Sequence, residues 1–266
     1  MDTSEIIKKA VSLPFRAYKG FILVIFLFFL SEMVNEIFNQ IEIGELTMML
    51  YFAIPPIFAM IILGFCISIV YHYIDDSFDI REVSLKTTTK AGFKDTLIEF
   101  YYYSLTIILT TVITYSLGIY RNIDSLLDGI SYVDYKVNTL TFPELLKLFT
   151  PDTYHQLASS VIATLAIFVI LFAIFFSYCS LAKIRLKETG DIRESMDFIN
   201  LTKIIKRKGI RKYLSFVILT FIILASVLFL MKALEAHPLI GSIISAFTEA
   251  FALFFILDSF SLYYYS

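Results

Sequence analysis

The stretch VIATLAIFVILFAIFF, residues 161–176, contains no charged residue, no glycine and no proline. Extended to about 157–181 it is long enough to cross a bilayer as an α-helix. A span needs about 20 apolar residues for roughly 30 Å of hydrocarbon, and it must be helical because lipid offers no partner for backbone N–H and C=O groups. Composition extends this reading to the whole chain. Of 266 residues, 58% are hydrophobic and 17% charged, and the mean hydropathy is +0.77, values that belong to a membrane protein rather than a globular domain. A net charge of −2 gives nucleic acid no basic footprint to bind.

Five further stretches qualify as spans, at about 21–38, 53–74, 97–119, 213–234 and 238–262. The expected fold is therefore an all-α polytopic membrane helix bundle of about six transmembrane helices, forming a single integral membrane domain over 1–266. The first span is the least apolar, because Glu32, Asn35 and Glu36 follow its run at 21–30 and must sit at the outer boundary. A cleaved secretory signal is disfavoured there by Asp2 and Glu5 and by the lack of a small-residue cleavage site after Leu30. Pro55 and Pro56 either bend span two or mark its start, with 46–54 as a separate interfacial segment. Cys66 and Cys179 form no CxxC pair and read as small packing residues. The chain has no Trp, so the tyrosines at 101–103 and 263–265 are expected at headgroup depth.

Basic residues orient the chain, because Lys and Arg resist translocation. All 22 lie before span one, between spans two and three, or between spans four and five, save Arg121, Lys136, Lys147 and Lys232. Both termini are thus expected on the cytoplasmic side of the cell membrane. An external acidic loop is expected over 121–156, carrying Asp124, Asp128, Asp134, Glu144 and Asp152, and it reads as a solvated cap. The inner basic loop, 183–212, contains an amphipathic helix. Phe198, Leu201, Ile204 and Ile205 share one face, and Lys203, Lys206 and Arg207 fall opposite. This helix either lies in the interface with its basic residues on anionic headgroups, or packs beneath its own bundle and sets topology.

Gly combined with basic residues recurs just before spans one, three and five, in FRAYKGFIL (15–23), KAGFKDTL (90–97) and KGIRKYL (208–214). The pattern suggests three successive helical hairpins. AVSLPFRAYKGFIL (10–23), LGFCISIVYHYID (63–75) with KAGFKDTLIEFYYY (90–103), and GDIRESMDFINLTKIIKRKGIRKYL (190–214) together resemble an uncharacterised family of archaeal multi-pass membrane proteins catalogued as a domain of unknown function. That family often places a Pro and a Trp in the second of these segments, where this chain has neither. The resemblance implies an archaeal cell-membrane protein and no particular activity.

Glu249 falls near the middle of span six, where an acidic residue costs about 2.5–3.5 kcal/mol to insert. Ser245 and Ser242 share its helix face. A candidate polar strip therefore comprises Glu249, Ser245 and Ser242, with Thr106, Thr110 and Thr114 of span three at matching depth. It is either a pathway for an ion, proton or ligand, or a hydrogen-bonded packing seam. Glu32 and Glu36, with Asn35 and Asn39, are a weaker cation site, more in keeping with a water-facing helix end. Asp258, nine residues after Glu249, turns to the opposite face and is expected to reach interfacial water. His72, His155 and His237 fall on different sides of the expected bilayer and cannot converge on a metal. HExxH, GxSxG, GxxxxGK[ST] and GxGxxG are all absent, so neither enzyme activity nor a cofactor is expected. Two functions remain. One is a non-enzymatic membrane module that organises lipid or a partner through Lys203, Lys206 and Arg207. The other is a small transporter or channel component whose polar passage is lined by Glu249, Ser245, Ser242 and the Thr stripe, either within one copy or on oligomerisation.

Overall fold

Residues 1–39, 45–75, 85–119, 151–234 and 241–266 are described by the structure, a computed structural model. Among them there is no strand. The acidic loop lies outside the described residues from its start to residue 150, and so does His237.

The first helix, α1 (Thr3–Arg16), is one that the sequence reading passes over. Asp2 caps it, accepting a hydrogen bond from the Thr3 amide at 2.7 Å, and Ile6, Ala10 and Leu13 recur at helical spacing to make a buried stripe. Lys8, Lys9 and Arg16 stay exposed. After Ala17 the chain turns by 78° into α2 (Tyr18–Asn39).

One unbroken helix, α3 (Glu45–Ile74), contains both Pro55 and Pro56; its apolar span is Ile54–Ile74. Then come α4 (Leu85–Ser116) and α5 (Pro151–Thr189). A single turn, α6 (Ile192–Ser195), leads to α7 (Phe198–Lys208). Gly209, at φ 98°, separates α7 from α8 (Ile210–Leu234), because that backbone conformation suits a residue without Cβ. The described chain ends with α9 (Gly241–Tyr265).

Among the described residues five helices, α3, α4, α5, α8 and α9, are long and apolar enough to cross a bilayer. Where the sequence alone suggests a sixth over 21–38, the part of α2 over Tyr18–Val34 meets the same standard only together with α1. The surfaces agree with a lipid environment: Phe229 is 77% exposed, Phe100 71% and Ile170 61%, a density of outward apolar side chains that water would penalise.

The described residues fall into two compact units, Met1–Phe100 with Ser177–Ser266, and Tyr101–Phe176. In the larger unit α9 is the hub, packing on α1, α2, α3 and α8. Ala246 and Ala250 are fully buried and let neighbouring backbones approach. Phe21 meets Phe247 and Phe254 at 5.3 and 5.5 Å between ring centroids, and Phe216 meets Phe260 at 5.0 Å. In the smaller unit Tyr103 stacks on Phe172, and Tyr102 is buried near Phe175.

Sequential helices run antiparallel in pairs. Gly20 near the start of α2 lies against Tyr73 near the end of α3. Asp95 in the first half of α4 meets Lys183 in the last part of α5, and Tyr213 at the start of α8 meets Tyr263 at the end of α9. These are the three hairpins that the recurring Gly and basic segments suggest.

Candidate functional site

The paired helix ends of the larger unit are joined into one charged layer. Its centre is Lys183, whose Nζ lies 2.6 Å from both Asp95 Oδ2 and Glu99 Oε1. The Lys183 and Asp95 side chains are only 10% and 4% exposed, so their charges are compensated by each other rather than by water. One turn along α5, Lys187 pairs with Asp75 at 2.6 Å and sits 4.6 Å from the Tyr71 ring centroid. Tyr264 of α9 donates to Glu188 Oε2 at 2.7 Å, and Lys94 of α4 donates to the Gly190 carbonyl. Lys208 caps α9 by donating to the Tyr263 and Tyr264 carbonyls, each at 2.6 Å, where the negative end of the helix favours a cation. Burial, with Lys212 and Arg207 alongside, pulls the Lys208 ammonium below the ordinary lysine value.

Helix α7 lies on this layer. Asp197 caps it through the Asn200 amide at 3.0 Å. Leu201 is fully buried and Ile205 nearly so, Phe198 stacks on Tyr178 at 4.1 Å, and the Tyr178 and Thr202 hydroxyls are 2.9 Å apart. Of the two placements open to this helix, the structure has its apolar stripe docked on the bundle. Lys203, Lys206 and Arg207 are exposed on its far side, while Ile199 and Ile210 stand 67% and 53% exposed beside them. That outer surface combines cations with apolar side chains, as an interfacial helix does.

The residues of the expected polar strip are placed differently. In the smaller unit Thr106, Thr110 and Thr114 are buried, and each hydroxyl returns to the carbonyl four residues earlier, at 3.1, 2.8 and 2.6 Å. Their donors are spent on their own helix. In the larger unit Glu249 and Ser242 are exposed and Ser245 is half-buried. Glu249 has no hydrogen-bond or ion-pair partner among the described residues, and it lies close enough to Glu32 and Cys66 to interact electrostatically with both.

Asp258, expected to reach water, is 5% exposed, and it interacts with Arg16 across the α1–α9 contact. Here α1 covers a carboxylate that the sequence leaves open to the interface. The tyrosine clusters divide in the same manner: Tyr265 is 60% exposed, but Tyr102 and Tyr263 are fully buried and serve as core. His72 bonds the Ser68 carbonyl at 2.8 Å. No group of three or more His, Cys, Asp or Glu side chains fit to hold a metal occurs among the described residues.

Residues 47–235 match the sequence model of a family described as protein of unknown function, DUF4013. The chain belongs to the DUF4013 family. The matched DUF4013 region takes in α4, α5 and α7, hence Lys183 with its two carboxylates and the basic face of α7, but stops short of α9 with Glu249. No curated protein and no solved structure matches the chain.

Neither the Lys183 cluster nor the close contact of α3 with α4 is anticipated by the sequence reading. The available signal was Asp95 and Glu99 at i, i+4 on α4, facing a helix whose Lys183 stands four residues before Lys187.

Proposed function

We propose that this protein is a non-enzymatic, multi-pass membrane module that engages anionic lipid headgroups on the cytoplasmic face of the cell membrane through α7, with Lys203, Lys206 and Arg207 as the contacts. The archaeal setting implied by the resemblance, cytoplasmic termini and any association with a second copy or a partner protein belong to the same proposal. The supporting observation is the docking of α7: its apolar stripe is held by the bundle and its three cations point away from it. A helix fixed in this way presents charge without the entropic cost of ordering a free segment on the surface. Each Lys or Arg near an anionic surface contributes about 1 kcal/mol. Neutralising all three with Gln is therefore expected to weaken the preference for anionic over zwitterionic lipid by roughly 100-fold if the terms add. The check is competition between brominated anionic and zwitterionic lipids around the full-length protein, read by tyrosine fluorescence quenching. Unchanged preference in the triple variant would remove the basis of this reading.

A second reading, transport through a polar path that includes Glu249, draws on the exposure of this carboxyl within an apolar helix, where an ionisable group is costly and commonly functional. Glu249→Gln keeps the shape of the group and removes its charge. Under the lipid reading it changes stability by less than about 0.5 kcal/mol, as for a surface substitution, and leaves the lipid preference intact. Under the transport reading it abolishes proton-coupled flux in reconstituted vesicles.

A further inference from the structure

Beside the Lys183 cluster a cavity of about 330 Å3 opens between α3, α4 and the end of α5. Among the described residues four lysines line it, Lys90, Lys94, Lys183 and Lys187, with Asp95 as the one carboxylate and Ile67 and Leu186 among the apolar residues. The lysines are not equivalent. Lys183 is compensated by Asp95 and Glu99, and Lys187 by Asp75. Lys94 donates to the Gly190 carbonyl, a neutral acceptor, and Lys90 is exposed and makes no ion pair among the described residues. An ammonium carries three donors, so both Lys90 and Lys94 keep charge and hydrogen-bonding capacity for a ligand. Tyr71 also lines the cavity, and its hydroxyl is sealed from solvent with no hydrogen-bond partner among the described residues. A buried hydroxyl left in that state is unfavourable unless an acceptor arrives.

We propose that this cavity binds a phosphate group, carried by an anionic membrane lipid or by a soluble phosphate ester, with Lys90 and Lys94 as its cationic ligands and Tyr71 as a hydroxyl donor. A tetrahedral phosphate presents several acceptor oxygens to donors converging from different helices, and lysine serves it as a point charge. Lysines around a cavity repel a metal cation, so the wall selects an anion. The volume is at the low end of small-molecule sites; it suits phosphate with a glycerol unit and leaves acyl chains outside. The cavity is separate from the outer face of α7 and does not depend on the role proposed for it.

The test uses the full-length protein in two arms. In the lipid arm, nanodiscs of phosphatidylcholine containing phosphatidic acid or phosphatidylglycerol are released into the mass spectrometer and retained lipid is counted. In the soluble arm, inorganic phosphate and glycerol 3-phosphate are titrated against the thermal midpoint in detergent. Wild type is expected to retain one phosphate-bearing anionic lipid, to be stabilised by the soluble anions, or both; the arm that responds identifies the source. Lys90 is exposed and without an ion-pair partner, so Lys90→Glu leaves folding intact and is expected to lower retention or affinity by about ten-fold or more. Tyr71→Phe, which changes no charge, is expected to lower it several-fold. In the soluble arm, which the lipid contacts of α7 do not touch, K203Q/K206Q/R207Q is expected to leave affinity unchanged. Equal binding by wild type and Lys90→Glu in both arms overturns the proposal. Loss of soluble-anion binding in the α7 triple variant with Lys90→Glu unaffected also overturns it, while sparing the reading of α7.

Discussion

Lys183→Met is expected to destabilise the folded chain by about 3–5 kcal/mol, seen as a large fall in the midpoint of denaturant or thermal unfolding in detergent. The size follows from what is left behind. Asp95 and Glu99 stand one turn apart on α4, both 2.6 Å from the same ammonium. Without it, two carboxylates face each other, one of them with a side chain only 4% exposed. The loss is that of stranding a buried charge, which exceeds what the pair contributes relative to apolar replacements. Lys183→Met combined with Asp95→Leu is accordingly expected to recover most of the stability, because Glu99, 30% exposed, then turns to water. A double variant no more stable than Lys183→Met would show that the ion pair is not what holds α4 to α5. The Lys187–Asp75 pair is the internal control: its separation is also 2.6 Å, but Asp75 is 48% exposed, and exposed pairs contribute about 0–1 kcal/mol.

Hydrophobicity carries the spans, and a one-dimensional pattern was enough for them: α3, α4, α5, α8 and α9 lie where apolar runs predicted. The amphipathic α7 was legible for a similar reason, since its stripe repeats at helical spacing. Partners were not legible. Glu249 looked like a seam residue because Ser245 and Ser242 share its face, yet its depth along α9 says nothing about which side of α9 a neighbour occupies. Asp258 was misplaced for the complementary reason. It is covered by α1, whose stripe of Ile6, Ala10 and Leu13 is too short and too charged overall to register as a span. The three Gly and basic segments illustrate the limit best. They look alike in sequence, but Gly20 receives the ring of Tyr73, Gly92 meets the backbone of α3, and Gly209 takes a positive φ to end α7.

Among these, Gly92 is the one that faces main chain rather than a side chain or open space, and Gly92→Leu is expected to cost about 3 kcal/mol, at the upper end of what overpacking usually costs. A Cβ at position 92 would overlap the Met60 carbonyl and crowd the Gly64 backbone, and a Cβ at position 64 would overlap the Thr88 carbonyl. The obstacle in each case is main chain on a neighbouring helix, which cannot rotate aside as a side chain does. Helix propensity argues the other way, since Gly inside a helix is about 1 kcal/mol less favourable than Ala; glycine at both positions fits a contact worth more than that difference. The consequence extends beyond stability. Ile67, Ser68 and Tyr71 lie three, four and seven residues past Gly64 on one face of α3, and Lys90, Lys94 and Asp95 flank Gly92 on α4, all of them in the wall of the same cavity. Separating the two helices at their closest point must therefore move the lysines away from Tyr71. Gly92→Leu is expected to lower the unfolding midpoint and to abolish phosphate binding together, while a variant that kept both at wild-type values would show that α3 and α4 are not in backbone contact.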